Sequence, residues 1–314
     1  MSPSAAVVLR ASGLVKSYKD VKAVDELSLE VFRGEIFGVL GPNGAGKTTT
    51  IKMMCGLLRP DAGSVTINGS TVRPGAKAGP KAIGLSPQSI VIWETLTCLE
   101  QLEFMGRMYD LGRAAARKKA RELLEAFGLQ DKLGKTLSGG MQRRLNIALA
   151  LVHEPEILFL DEPQAGLDPQ SRVLVREYIH GLAEKATVIL TTHDMEEAEK
   201  LSDRICIIDR GKLLVLDSVA GLKNRLGRGD VVEIEIVEDI QTALLPHIPV
   251  LQPGKPRLAV TAHTLNLISD EAGRILPEIL QVIKTRGVTL EHVRVRSVTL
   301  EDVFIQLTGR GLRE

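Results

Sequence analysis

The sequence predicts an α/β fold: a parallel sheet flanked by helices, an antiparallel edge layer before it, a helical insertion within it and a small C-terminal α+β domain. Three patterns carry that expectation. Residues 36–40, 157–160 and 187–190 are continuous apolar runs separated by helical stretches, as expected of strands buried on both faces of a parallel sheet. Residues 7–35 instead alternate apolar and polar side chains, most clearly at Leu27, Leu29 and Val31, which suits strands with one exposed face. A further alternation, Val232, Ile234 and Ile236 against Glu233 and Glu235, follows a change of composition at LGRGD (226–230). The expected domains are therefore 1–225 and 226–314.

The run 36–40 leads into the glycine-rich turn Gly41, Pro42, Asn43, Gly44, Ala45, Gly46, Lys47, Thr48, and Thr49 opens a segment with helical spacing. Strand, loop and helix with G-x-x-x-x-G-K-[ST] at the junction is the setting a P-loop requires. With no Cβ in the way, successive N–H groups can turn inward around a phosphate chain, and Gly44 and Gly46 can take the positive φ such a nest needs. Lys47 would reach the β- and γ-phosphates as a point charge, Thr48 would place its hydroxyl on Mg²⁺, and the helix would point its positive end at the anion. The expected fold is a P-loop NTPase sheet, and the expected ligand is a nucleotide triphosphate.

Composition narrows the partners. With 40 Lys+Arg against 39 Asp+Glu in 314 residues, the net charge of +1 gives no electrostatic reason to expect nucleic acid or an anionic membrane as the main partner. Cys55, Cys98 and Cys206 are scattered, with no CxxC pair, so neither a disulfide framework nor a zinc site is suggested, and a reducing cytosolic setting fits. The apolar stretch near the N-terminus is short and interrupted by Arg10, too brief for a signal peptide, and nowhere do about 18 apolar residues run uninterrupted. The chain is not expected to span a membrane by itself.

After the P-loop helix, RPDAG (59–63) reads as a turn, 64–67 as a strand, Asn68-Gly69 as a hairpin and 82–86 as a short strand ending before Pro87-Gln88. From 100 to 152 the pattern is helical: Ala120, Leu123, Leu124 and Phe127 recur at i, i+3, i+4, i+7, and Gly128 follows as a stop. This is the helical insertion, about 88–152. Arg117, Lys118, Lys119 and Arg121 lie mostly off that stripe, as a solvated face does. Ser138 precedes another helix as an N-cap candidate. Ligands of parallel sheets sit at strand carboxyl ends, where the 41–48 loop, Asp161-Glu162 and His193 would all emerge. Asp194 and Glu197 look like a capping pair for the next helix. Residues 205–209 and 212–217 read as a hairpin turning at Arg210-Gly211. In the C-terminal part a loop carrying Pro246, Pro249, Pro253 and Pro256 precedes a helix around 271–286 and an alternation of Val293 and Val295 with Arg294 and Arg296. If the two alternating strands pair, their Glu and Arg faces can form a surface charge ladder.

Taken in order, GPNGAGKT at 41–48, Pro87-Gln88, LSGGM at 137–141, ILFLDEP at 157–163, GLD at 166–168 and TTHD at 191–194 resemble the ATP-binding subunits of ABC transporters over roughly residues 7–217. The ending SVTLEDVFIQLTGRGLRE is similar to the extension on exporter subunits of the daunorubicin and doxorubicin resistance branch. The resemblance implies that Tyr18 stacks on adenine, Gln88 touches Mg²⁺ or the attacking water and relays occupancy to a membrane partner, and Asp161 holds Mg²⁺ through water. It implies Glu162 as general base and His193 as a γ-phosphate contact that orients Glu162 and the water. Ser138, Gly139 and Gly140 would close over ATP bound to a second subunit, so each active site would be composite. His153, His180, His247, His263 and His292 are read as structural.

The function implied is that of an ATPase that dimerises on ATP and powers export of drugs or other hydrophobic compounds through a separate polytopic membrane subunit. It would sit on the inner face of the cell membrane, as a homodimer and without nucleic acid. The alternatives are an ABC importer or lipid-export ATPase, or a soluble ABC ATPase acting on nucleic acid or ribosomes; one set of motifs, no extended heptads and no cysteine-rich insertion count against the last. Two residues depart from the commoner family pattern: Met141 stands for Gln, with Gln142 following, and Gln164 stands for Thr or Ser. Ile92 and Trp93 are expected to line the groove that receives the membrane subunit.

Overall fold

Strand β1 (Val7–Tyr18) and β2 (Val21–Phe32) form an antiparallel ladder that pairs Leu9 with Val31, Ala11 with Leu29 and Leu14 with Leu27, so the alternation noted above becomes one buried face. The computed structural model describes residues 6–73, 82–182, 185–225, 229–248 and 258–308. β3 (Ile36–Leu40) is buried at every position and runs into α1 (Lys47–Met54). β4 (Ala62–Ile67) and β5 (Ser70–Thr71) follow, joined through Asn68 and Gly69, both at positive φ as a two-residue hairpin turn requires. With β1 and β2 they make an edge sheet in the order β2-β1-β4-β5.

β6 (Ile83–Ser86) precedes the helical insertion of α2 (Cys98–Met108), α3 (Arg113–Ala126) and α4 (Gly139–Leu151). Thr97 and Glu100 form a reciprocal capping box on α2. The basic residues of α3 are on its outer side, with Arg117 paired to Glu103 and Lys119 to Glu154. The chain returns through β7 (Ile157–Asp161), α5 (Pro169–Leu182), β8 (Thr187–Thr192), α6 (Met195–Leu201), β9 (Arg204–Asp209) and β10 (Lys212–Ser218). Arg210 and Gly211, both at positive φ, turn the last pair.

These strands form one sheet in the order β10-β9-β3-β8-β7-β6, parallel from β9 to β6. Because strand side chains alternate faces, the apolar runs feed two cores. Phe37, Val39, Phe159 and Ile189 join the edge sheet and α1, whereas Leu158, Leu160, Val188 and Leu190 join the helical insertion.

The chain divides into two compact units between Asp217 and Ser218. That lies ahead of the boundary expected from composition, because α7 (Val219–Arg225) packs on the C-terminal helix of the second unit. The second unit continues with β11 (Asp230–Ile236), α8 (Ile240–Ala243), β12 (Leu258–Val260), β13 (Thr264–Ser269), α9 (Ala272–Arg286), β14 (Leu290–Ser297) and α10 (Leu300–Thr308). Its antiparallel sheet has the order β12-β13-β11-β14, and Val232, Ile234 and Ile236 pack with Ile275, Ile279 and Ile283 of α9. β11 pairs Glu233 with Arg294, and Arg296 reaches Glu233 at 2.7 Å and Asp302 at 2.6 Å, so the charged faces do coincide as a ladder. Pro249, Pro253 and Pro256 lie outside the described residues.

Candidate functional site

Sheet register brings four segments to one edge. Leu40 pairs with Thr192 across β3 and β8, and Asp161 with Thr191 across β7 and β8, so the glycine-rich loop, Asp161-Glu162 and His193 leave the sheet at one level. Ser86 at the end of β6 pairs with Leu160, which puts Gln88 just past the same edge on the next strand. This is the carboxyl edge, where parallel sheets place their ligands.

The loop before α1 needs its glycines. Gly44 has φ 81° and Gly46 φ 102°, and a Cβ on Gly46 would fall 2.2 Å from Ala23 O. Gly46 occupies the N-cap of α1 without a side chain to cap it, leaving first-turn N–H groups for an anion. Asn43 and Gly44 are exposed at the tip, whereas Gly41 and Ala45 are buried beneath it and Pro42 and Thr49 are half-buried.

Lys47 is buried, and its Nζ donates to Gly41 O at 2.7 Å and Pro42 O at 3.1 Å and pairs with Glu162 Oε1 at 3.4 Å. Burial pulls its pKa down, against the attraction of Glu162. Thr48 Oγ1 donates to Asp161 Oδ1 at 3.3 Å, and Asp161 Oδ1 also accepts from the Thr191 hydroxyl. Glu162 has φ 54°, the left-handed region that costs a side-chain-bearing residue about 1 kcal/mol or more. Its N–H compensates by donating to Thr191 O at 3.1 Å and Thr191 Oγ1 at 3.0 Å. That backbone turn leaves the carboxylate buried between Lys47 and His193, whose Nδ1 lies 2.6 Å from Glu162 Oε2. With Glu162 ionised, Nδ1 carries the proton, and half of the His193 side chain faces solvent.

Five expected residues, Lys47, Thr48, Asp161, Glu162 and His193, thus form one bonded cluster. Thr48 and Asp161 offer a hydroxyl and a carboxylate, the hard oxygen donors that suit Mg²⁺. Among the described residues no group of three or more His, Cys, Asp or Glu is arranged to hold a metal, so a cation here would share its shell with phosphate oxygens and water.

The other expected residues are placed nearby in sequence order but not in that cluster. Tyr18 is the last residue of β1, paired with Val21, and the turn falls on Lys19 and Asp20. It is 49% exposed, with Lys16 Nζ 5.9 Å from its ring centroid. Gln88 is exposed. Ser138 caps α4 by accepting from Met141 N at 3.3 Å, and Gln142 Nε2 donates back to Leu137 O at 3.3 Å. Ser138 and Gly139 are exposed, and a Cβ on Gly140 would lie 3.3 Å from Asp168 Oδ2 and from Ser171 Oγ. The described neighbours of Gly140 are Leu167 and Asp168 just before α5 and Ser171 in its first turn. Gln164 is buried, and its Nε2 has no hydrogen-bond partner among the described residues.

Thr191 and Thr192, quoted only as part of TTHD, and Glu197, read only as a cap, also bond into the site. Asp194 caps α6 by accepting from Glu197 N at 3.0 Å, but the Glu197 carboxylate does not complete a capping box. It accepts from Thr192 Oγ1 at 2.6 Å, which itself accepts from Asp194 N at 3.0 Å. Two threonines ending a buried strand were the available signal, since a hydroxyl buried at a strand end needs a partner.

Residues 24–165 match the family model described as ABC transporter. The chain is 40% identical to a linearmycin resistance ATP-binding protein of Bacillus subtilis, over 98% of this chain and 100% of that one. It is 38% identical to a daunorubicin/doxorubicin resistance ATP-binding protein of Streptomyces peucetius, over 96% and 92%. A dimeric ATP-binding cassette in a post-hydrolysis state, bound to ADP and Pi, superposes with a TM-score of 0.63 at 26% identity, covering 67% of this chain and 98% of that one.

Proposed function

The chain belongs to the ABC transporter ATP-binding family, and on that premise we propose that it works as a dimer coupled to a separate polytopic membrane subunit, powering export of drugs or other hydrophobic compounds. It binds and hydrolyses ATP; the partner, the direction and the cargo are the parts proposed. Residues 41–49 hold the phosphates, and Tyr18 offers its ring to adenine. Thr48 and Asp161, with Gln88 nearby, would hold Mg²⁺, which when bound neutralises charge on the β- and γ-phosphates.

Glu162 accepts the proton of the attacking water as the water oxygen bonds to the γ-phosphorus and the bond from phosphorus to the bridging oxygen breaks. His193 holds the carboxylate in place through Nδ1 and presents its outer edge to the γ-phosphate. The observation that carries this reading is the placement of Glu162, strained at φ 54° and held between Lys47 and His193. Ser138, Gly139 and Gly140 of a second copy complete the site, so that ATP bridges the two chains and its hydrolysis lets them part.

Export is supported by two relatives whose names declare resistance to linearmycin and to daunorubicin and doxorubicin. No helix among the described residues is long and apolar enough to cross a membrane, and in this reading a separate membrane subunit supplies the pathway. Placement on the inner face of the membrane follows from that partner. Affinity purification from detergent-solubilised membranes is expected to recover a polytopic membrane protein and ATP hydrolysis together. Recovery with ribosomes or nucleic acid would overturn the reading.

A further inference from the structure

Helix α4 turns two buried polar side chains, Arg143 and Asn146, toward the loop between β6 and α2. Asn146 is 3% exposed, the one polar residue in the helical stretch LNIALAL, and both ends of its amide are bonded. Its Nδ2 donates to Ser86 Oγ at 3.0 Å and to Pro87 O at 3.2 Å, and its Oδ1 accepts from Val91 N at 3.1 Å. A backbone carbonyl on one side and a backbone N–H on the other fix which way the amide points. One helical turn earlier, Arg143 Nη1 adds a second bond to Pro87 O at 3.2 Å. Further along the same loop a second buried amide, Gln101 of α2, accepts from Trp93 N at 2.9 Å and donates to Trp93 O at 2.9 Å and Leu96 O at 3.1 Å.

The segment gripped in this way carries Gln88 at one end and the exposed apolar side chains of Ile90, Val91 and Trp93 at the other. It has no helix or strand of its own, and side chains from the two helices bond Pro87 O, Val91 N and both backbone groups of Trp93. We propose that Asn146 is a positioning residue that locks the Gln88 loop to the helix that starts at Ser138, with Gln101 fixing the far end. The role rests on the reading of Gln88 and Ser138 given above. One amide holds both ends of the Pro87 to Val91 span, so a displacement of the apolar tip must either break those bonds or carry α4 with it. Gln88 and the Ser138 turn, which belong to different composite sites of a dimer, would then move together.

Trp93 is the only tryptophan in the chain and lies on the clamped loop, which gives a direct readout. Asn146→Leu keeps the branched shape and the number of side-chain heavy atoms but removes every bond of the amide; it is expected to raise acrylamide quenching of Trp93 about twofold and lower kcat about tenfold, with KM for ATP changed by less than about twofold. Ser86→Ala removes a single hydroxyl at the end of β6, is the milder variant should the first not fold, and is expected to move quenching and kcat in the same directions. Added to Gln88→Ala, the Asn146→Leu change is expected to lower kcat little further, because both act through one residue. Unchanged Trp93 quenching in both variants, or kcat losses that multiply in the double variant, would overturn the proposal. A wild-type protein without ATPase activity would instead refute the functional reading, while the quenching comparison would still decide the clamp.

Discussion

Lys47 Nζ lies 3.4 Å from Glu162 Oε1, with both side chains almost wholly buried. The pair joins the phosphate-binding loop to the carboxylate expected to act as base, and removing one partner strands the other in a poorly solvated site.

Lys47→Ala therefore loses a phosphate contact and leaves Glu162 uncompensated. Its affinity for ATP, measured by equilibrium dialysis, is expected to fall about 10- to 100-fold, equivalent to about 1.4–2.8 kcal/mol. Wild-type affinity would show that the lysine does not reach the nucleotide.

Gly46→Ala tests the loop backbone. The new methyl would meet Ala23 O at 2.2 Å at a residue with φ 102°, so the loop must shift or the fold must give. A loss of about 2 kcal/mol or more in unfolding free energy, or loss of ATP binding in a protein that still folds, is expected from denaturant titration and dialysis together.

Glu197 makes stability depend on pH. Burial pushes its carboxyl up to about 7, the Thr192 hydroxyl bond opposing and the charges of Asp194 and Glu162 adding to the rise. The folded value is above the unfolded one, about 4.5, so the folded chain binds the extra proton between the two. The resulting stabilisation is complete below about 4.5 and is lost as pH rises through about 7. Between pH 5 and 8 the Tm of the wild type is expected to decline more steeply than that of Glu197→Gln. Parallel curves would mean that Glu197 is ionised throughout.

The parts of this site legible in the sequence are those where a backbone shape demands particular residues. GPNGAGKT between an apolar run and a helical stretch announces strand, nest and helix, and Gly44 and Gly46 do take positive φ. The continuous runs at 157–160 and 187–190 likewise read as central strands because burial on both faces leaves no room for alternation. Residues whose role depends on what lies across the sheet were not legible. Thr191 bonds the Asp161 side chain and the Glu162 N–H from a neighbouring strand, and Glu197 spends its carboxylate on Thr192 rather than on the helix cap. Asn146 is a single polar residue in an apolar helical stretch, and only the fold sets it against the loop from β6. Spacing along the chain cannot report such pairings, since strand order and register decide them.

Glu162→Gln keeps the size of the side chain and removes the charge that accepts the proton; kcat is expected to fall about 10²- to 10³-fold while ATP still binds. Its mass by sedimentation velocity, with and without saturating Mg-ATP, is the most direct test of a site completed by a second copy. A monomer without nucleotide that becomes a dimer with it, and fails to do so once Ser138→Arg is added, is the expected result. A single mass under both conditions, or ATP-driven dimers that form regardless of the residue at 138, would contradict a site closed by Ser138 of the other chain.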